Sequence, residues 1–167
     1  MNLFELIRSG LVRRWHANPD LAHTGETNGH HQWAVATLVL ALHPAPRLEL
    51  VREALWHDVG ERKAGDLPRP FKHDNPEIAA AHADFERRAR AEMCMVADLD
   101  HAEELWLKLC DRFAAFLWML SFAPHLRHHD WWEGEMTWII AEAGNLGSSA
   151  SVSAMINTHL DRLRIGS

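Results

Sequence analysis

The segment 101–122 constrains the fold more than any other part of the chain. It reads HAEELWLKLCDRFAAFLWMLSF, a long, strongly apolar run, and predicts one long helix. A single acid, Asp111, sits in its middle, flanked by Lys108 and Arg112. On an exposed face Asp111 would simply pair with Lys108. Helix phase instead puts Leu107, Cys110, Ala114 and Trp118 on the same side as Asp111, at i−4, i−1, i+3 and i+7. Burying a lone carboxylate costs several kcal/mol unless it is paired or bound to a metal. The segment alone leaves both orientations of Asp111 open.

The rest of the chain is also read as helix. Leu3, Phe4, Ile7 and Leu11 predict a first amphipathic helix over 2–14, which has to stop before Asn18-Pro19. Polar residues and glycine mark 20–29 as loop. A second helix runs from near Asn28 through His31, Val35, Leu38 and Leu42 to the Pro44-Ala45-Pro46 break. A third covers about 47–58. Residues 59–76, with Gly60, Gly65, Pro68, Pro70 and Pro76, read as one long connection, a length that in a compact domain is often functional. Further helices are expected over about 76–95, 101–122, 127–143 and 150–164, with Asp98-Leu99-Asp100 breaking between the first two. No alternating strand pattern and no internal repeat is present. The expectation is an all-α chain: one compact domain over 1–167, a bundle of about six to seven helices.

A chain of 167 residues can bury a core without disulfides, and Cys94 and Cys110, both in apolar helical context, read as reduced core thiols. No apolar run reaches the length of a membrane span, and Met1 to Gly10 lacks a signal-peptide pattern. The net charge of −6, with both signs mixed along the chain, argues against a nucleic-acid surface but leaves room for a small anion held by local cations. The expected setting is cytoplasmic, with neither membrane nor nucleic acid as partner.

The chemistry centres on Leu55-Trp56-His57-Asp58-Val59-Gly60-Glu61. The third helix ends in an adjacent imidazole and carboxylate, and such a pair suits a borderline divalent cation. On its own it reads equally as a helix C-terminus followed by a turn. Two further groups bear on the choice: His31, which shares the apolar face of the second helix, and Asp111. Two neutral imidazoles and two carboxylates make a ligand set for one metal with positions left for water and substrate.

These residues resemble the HD-domain phosphohydrolases. Within that group the sequence is most similar to the bacterial 5′-deoxynucleotidases of the YfbR type. The motifs that carry the resemblance are Arg14-Trp15, Glu26 with His31 five residues on, His57-Asp58-x-x-Glu61, Gly65-Asp66-Leu67-Pro68-x-Pro70-x-Lys72 and Lys108-x-x-Asp111. The chain departs from the usual pattern in two ways. His30-His31-Gln32 stands where the family has Glu-His-Ser, so spacing and helix phase favour His31 as ligand with His30 as the alternative. The chain is also short, nearer to compact phage-type relatives, some of which remove triphosphate from dATP.

The resemblance implies His31, His57, Asp58 and Asp111 as ligands of one divalent ion (Mn, Co, Mg, Zn or Fe). It implies Glu61 and Asp66 as catalytic groups that orient or protonate around the scissile phosphate. Arg14, Lys72 and Lys108 would clamp the phosphate, and Trp15 would stand where a 2′-hydroxyl would otherwise fit. For each of these the bland reading is an ordinary surface charge or core aromatic. The expected activity is hydrolysis of deoxynucleoside 5′-monophosphates by a homo-oligomer, with triphosphohydrolysis as the alternative. Arg13, Arg62, Lys63, Arg69 and the arginines of 76–93 are candidate partners for the extra phosphates. A non-catalytic binding module and a purely structural helical protein are the remaining readings. The tryptophans other than Trp15 read as core or subunit interface.

Overall fold

A computed structural model describes residues 1–94 and 96–165. The helices are α1 (Leu3–Ser9), α2 (Asn28–Leu42), α3 (Leu48–Trp56), α4 (Glu61–Ala64), α5 (Arg69–Asp74), α6 (Pro76–Met93), α7 (His101–Phe122), α8 (Asp130–Asn145) and α9 (Ser149–Ile165). Single 3-10 turns lie at Ala22–Thr24 and Pro124–His128. Among the described residues there is no strand, only an isolated antiparallel bridge between Arg13 and Thr27. The all-α expectation holds.

The two helices that frame the centre begin at strong local signals. Thr27 caps α2 by accepting from the His30 amide at 3.4 Å. The helix ends at Leu42 because Pro44 forces His43 into extended backbone. Asp100 starts α7 with a reciprocal capping box: its carboxylate accepts from the Glu103 amide at 2.9 Å, and Glu103 accepts from the Asp100 amide at 3.1 Å. These helices pack across α3, and α8 and α9 close the far side. The core joins Val35 and Val39 of α2, Leu50 and Ala54 of α3, Leu109, Phe113, Phe116 and Met119 of α7, Ile139 of α8 and Val152 of α9. Complete burial of a Phe113 or Phe116 side chain contributes about 1.5–3 kcal/mol. Cys110 belongs to this core and Cys94 to a smaller cluster with Leu6, Val59 and Met93, and both thiols are free.

Three expectations are corrected. The first helix stops at Ser9 rather than near residue 14. From there the chain pairs with the start of α2: the Asn28 amide donates to the Val12 carbonyl at 2.9 Å and the Arg14 amide to the Glu26 carbonyl at 3.0 Å. The face α1 buries carries Leu6 and Ser9, while Leu3, Phe4, Ile7 and Leu11 are exposed. The connection 59–76 is not structureless, since it holds α4 and α5. The helix expected over 127–143 starts at Asp130, because Pro124 opens a separate 3-10 turn ahead of it.

Candidate metal centre

Three helices bring four side chains to one point. His31 lies in the first turn of α2, fully buried. His57 and Asp58 follow directly on the last residue of α3. Asp111 lies midway along α7. His31 Nε2 is 2.9 Å from Asp111 Oδ1 and 3.8 Å from Asp58 Oδ2. His57 Nε2 is 3.3 Å from Asp58 Oδ2 and 3.8 Å from Asp111 Oδ1. Ligands about 2.1 Å from a shared cation stand about 3–4 Å apart, so the His31, His57 and Asp58 spacings fit one ion, with Asp111 bordering the group 2.9 Å from His31. His31, His57 and Asp58 together form a possible metal-binding group.

The polar atoms themselves favour a cation. His57 Nδ1 donates to the Ala54 carbonyl at 2.9 Å, which leaves the lone pair on Nε2. That Nε2 is buried, makes no hydrogen bond, and faces two carboxylates. A lone pair turned on anionic oxygens is repulsive unless a positive charge lies between them, a metal ion or a proton: against the cost of burial, Asp58 and Asp111 raise the His57 pKa well above the ordinary imidazole value. Charge tells the same story. Burial alone would raise the carboxyls of Asp58 and Asp111. His57 and Arg14 nevertheless hold Asp58, and the two imidazoles hold Asp111, well below the ordinary carboxylate range. Burial and the Arg14 charge push His31 down to about 4, so it stays a neutral imidazole and a competent ligand at neutral pH. His30, by contrast, is half-exposed and lies edge-on to Trp118, with ring centroids 4.7 Å apart. Of the adjacent pair, His31 is the one in the cluster.

A cavity of about 220 Å³ opens from the cluster. Arg14, Trp15, Asp58, Glu61, Asp66, Lys72 and Asp111 all line it, so most of the expected site converges here. Arg14 Nη1 donates to Asp58 Oδ2 at 2.6 Å. Glu61 is buried, with Asn28 Nδ2 donating to its Oε2 at 2.8 Å, and burial together with the charges of Asp58 and Asp66 raises its pKa well above the usual value. Lys72 reaches the cavity from α5, and its ammonium makes no ion pair among the described residues. Lys108 is placed differently. It lines a separate cavity of about 400 Å³ on the other side of His57 and Asp111, with its ammonium 5.5 Å above the Trp138 ring.

Trp15 is the only residue besides glycine with positive φ among those described, at 62°. An L side chain there costs of order 1–3 kcal/mol, and three contacts hold it in place. Its indole N–H donates to Glu26 Oε2 at 2.5 Å, its amide to Asp66 Oδ2 at 3.4 Å, and its ring packs on Trp132 with centroids 6.1 Å apart. The result is a rigid wall beside Arg14.

Sequence reasoning left several lining residues without a role. Trp131, Trp132, Arg112 and Glu135 form the far wall. They belong to no short motif, and only the α7–α8 packing brings them in. Asn28 offered a signal in hindsight, one helical turn before His31 on the same face.

A family profile for 5′-deoxynucleotidase YfbR-like proteins matches residues 3–109, more than half of the chain. The chain belongs to the YfbR-like 5′-deoxynucleotidase family. Members are metal-dependent hydrolases that act on deoxynucleotides, in keeping with the His/Asp group at the helix junction. The match covers Arg14, Trp15, His31, the His57-Asp58 pair, Glu61, Asp66, Lys72 and Lys108, and stops just short of Asp111 and the far wall. No curated protein and no solved structure matches the chain. Among the described residues no helix is long and apolar enough to cross a membrane.

Proposed function

We propose that the chain hydrolyses deoxynucleoside 5′-monophosphates to deoxynucleoside and phosphate, using one divalent cation held by His31, His57, Asp58 and Asp111. The observation that carries this reading is the meeting of the His31, His57 and Asp58 group with Asp111 at the edge of a cavity, lined by both carboxylates, that also presents Arg14, Glu61 and Lys72. Such a cation supplies an acidified water and neutralises charge at the phosphorus.

The chain's own residues do the remaining work. Arg14 and Lys72 bind the phosphate oxygens and fix the phosphorus against the ligand cluster. Glu61, held by Asn28 and titrating well above the usual carboxylate range, exchanges the proton that the departing 5′-oxygen takes up. Asp66 acts through Trp15 by holding its amide, and the fixed indole excludes a 2′-hydroxyl.

The distribution of cations supports a monophosphate over a triphosphate. Arg62 pairs with Glu5, Lys63 with Glu92, Arg87 and Arg88 with Asp84, and Arg90 with Glu53, while Arg13 is absent from the cavity lining. Within the cavity Arg69 and Arg112 are bound to acids, and Lys72, whose charge acts on Glu86, makes no ion pair among the described residues. One ammonium without an ion pair, lining the same cavity as Arg14, suits a dianion better than a triphosphate.

The test is to incubate purified protein and its Asp58→Ala variant with Mn or Co and each deoxynucleoside mono- and triphosphate, and to resolve the products by chromatography. Deoxynucleoside and phosphate from monophosphates alone, absent with Asp58→Ala, is the expected result. Deoxynucleoside with intact triphosphate would move the chain to triphosphohydrolysis. No metal-dependent product would leave a binding module.

A further inference from the structure

Arg69 is the cavity cation whose position is hardest to explain as a phosphate clamp. It opens α5 between Pro68 and Pro70, so its backbone is stiff and the side chain is presented from a fixed point. Its Nη2 donates to Asp111 Oδ2 at 3.3 Å and its Nη1 to Glu135 Oε2 at 3.4 Å. The Glu135 anchor is itself held: Arg112 Nε donates to the same oxygen at 2.7 Å, and the Arg112 guanidinium lies 3.6 Å over the Trp138 ring. The two oxygens of Asp111 therefore face different partners. Oδ1 looks at the His31 and His57 imidazoles, and Oδ2 looks at Arg69.

We propose that Arg69 is a positioning residue, which engages Asp111 Oδ2 and reserves Oδ1 for the cation. The inference rests on the metal reading above and extends it to a residue outside the ligand set. A ligating carboxylate whose second oxygen is hydrogen-bonded has one orientation available, and loss of such a partner weakens metal binding. The planar guanidinium is required, because it donates to two acceptors at once and a lysine ammonium at the end of a flexible stem does so poorly.

The test compares full-length wild type with Arg69→Ala and Arg69→Lys. Arg69 is 42% exposed, so neither change removes core packing. Mn affinity is measured by calorimetry and the ligand field from the visible spectrum of the Co-loaded protein, with steady-state kinetics on a deoxynucleoside monophosphate alongside. Arg69→Ala should bind Mn about 10–100-fold more weakly and shift the Co bands. Arg69→Lys should recover only part of this, and saturating Mn should restore turnover with KM unchanged. Unaltered Mn affinity and Co spectrum with a raised KM would overturn the proposal and make Arg69 a phosphate contact. No change in any measurement would reduce it to a surface ion pair. Wild-type protein that binds no Mn would remove the metal reading and this inference with it.

Discussion

Gly60 offers a direct test of how the catalytic turn is seated. Its φ of −60° is open to any residue, so conformational freedom does not explain the glycine. Space does. A Cβ built there would lie 2.5 Å from the Glu86 carbonyl oxygen and 3.1 Å from its carbon, both backbone atoms of α6. Restoring an ordinary 3.4 Å contact means moving α4 and α6 apart by about 0.9 Å. Overpacking of this kind costs about 1–3 kcal/mol, offset by about 0.4–1 kcal/mol because alanine restricts the unfolded chain. Since the clash is with helix backbone rather than a side chain that can swing away, Gly60→Ala should lose about 2 kcal/mol. For a chain of this size that lowers Tm by about 4–8 °C by calorimetry. Function should suffer more than stability. Gly60 sits between Asp58 and Glu61, and a displacement near 1 Å at a catalytic group can cost about a hundredfold in rate. A variant melting within a degree of wild type, with unchanged turnover, would refute the close approach of α4 to α6.

Three further outcomes are expected. Arg14→Lys keeps the charge but cannot reach Asp58 Oδ2, Glu26 and a phosphate from one rigid fork, so kcat/KM should fall at least tenfold while the fold survives by circular dichroism. Trp15→Ala removes the wall but leaves the ligand cluster intact. The preference for deoxyribo- over ribonucleoside monophosphates, measured as a ratio of kcat/KM values, should drop by an order of magnitude or more, and an unchanged ratio would place the sugar elsewhere. The last concerns Glu26, whose carboxyl burial raises to about 7 despite Arg14 and the Trp15 indole. A folded pKa above the unfolded one means the native state holds the proton longer, so stability falls as pH rises from about 4.5 to 7 and then levels off. Urea unfolding in EDTA should show that slope, worth about 3 kcal/mol, and Glu26→Gln should flatten it.

What could be read from the sequence was what local chemistry determines. The bounds of α2 and α7 follow from Thr27, Pro44 and Asp100, groups that act within a turn of their own position. Helix phase left the side of Asp111 open, and the structure turns it inward, with Cys110 and Ala114 beside it buried and its carboxylate 2.9 Å from His31. The short helices α4 and α5 were missed because neighbours hold them. His82 of α6 bonds the Gly65 carbonyl at 3.0 Å, and Gly60 lets α4 approach α6 closely. The exposed apolar stripe of α1 misled for a related reason: periodicity reports that a helix has an apolar face, and cannot report which face its neighbours cover. The roles of Trp131, Trp132 and Glu135 depend on α8 packing against the middle of α7 near Arg112 and Phe116, which no spacing along the chain encodes.

The layout of the site follows from where each group sits. The four candidate ligands lie on or directly after α2, α3 and α7, the helices that carry the core, so their spacing is as rigid as the packing behind them. The groups that would meet the phosphate and sugar come from the turn at Arg14-Trp15, where only the Trp15 ring packs against the core, and from the 61–72 segment. Polar contacts to the ligands and the start of α2 also hold those groups: Arg14 to Asp58, the Trp15 indole to Glu26, Asn28 to Glu61, and Arg69 to Asp111. Two of these contacts end on a candidate ligand itself. Metal affinity and substrate positioning are therefore coupled through Asp58 and Asp111, and a change in the strap at 65–70 should register first as altered metal binding and only then as altered substrate affinity.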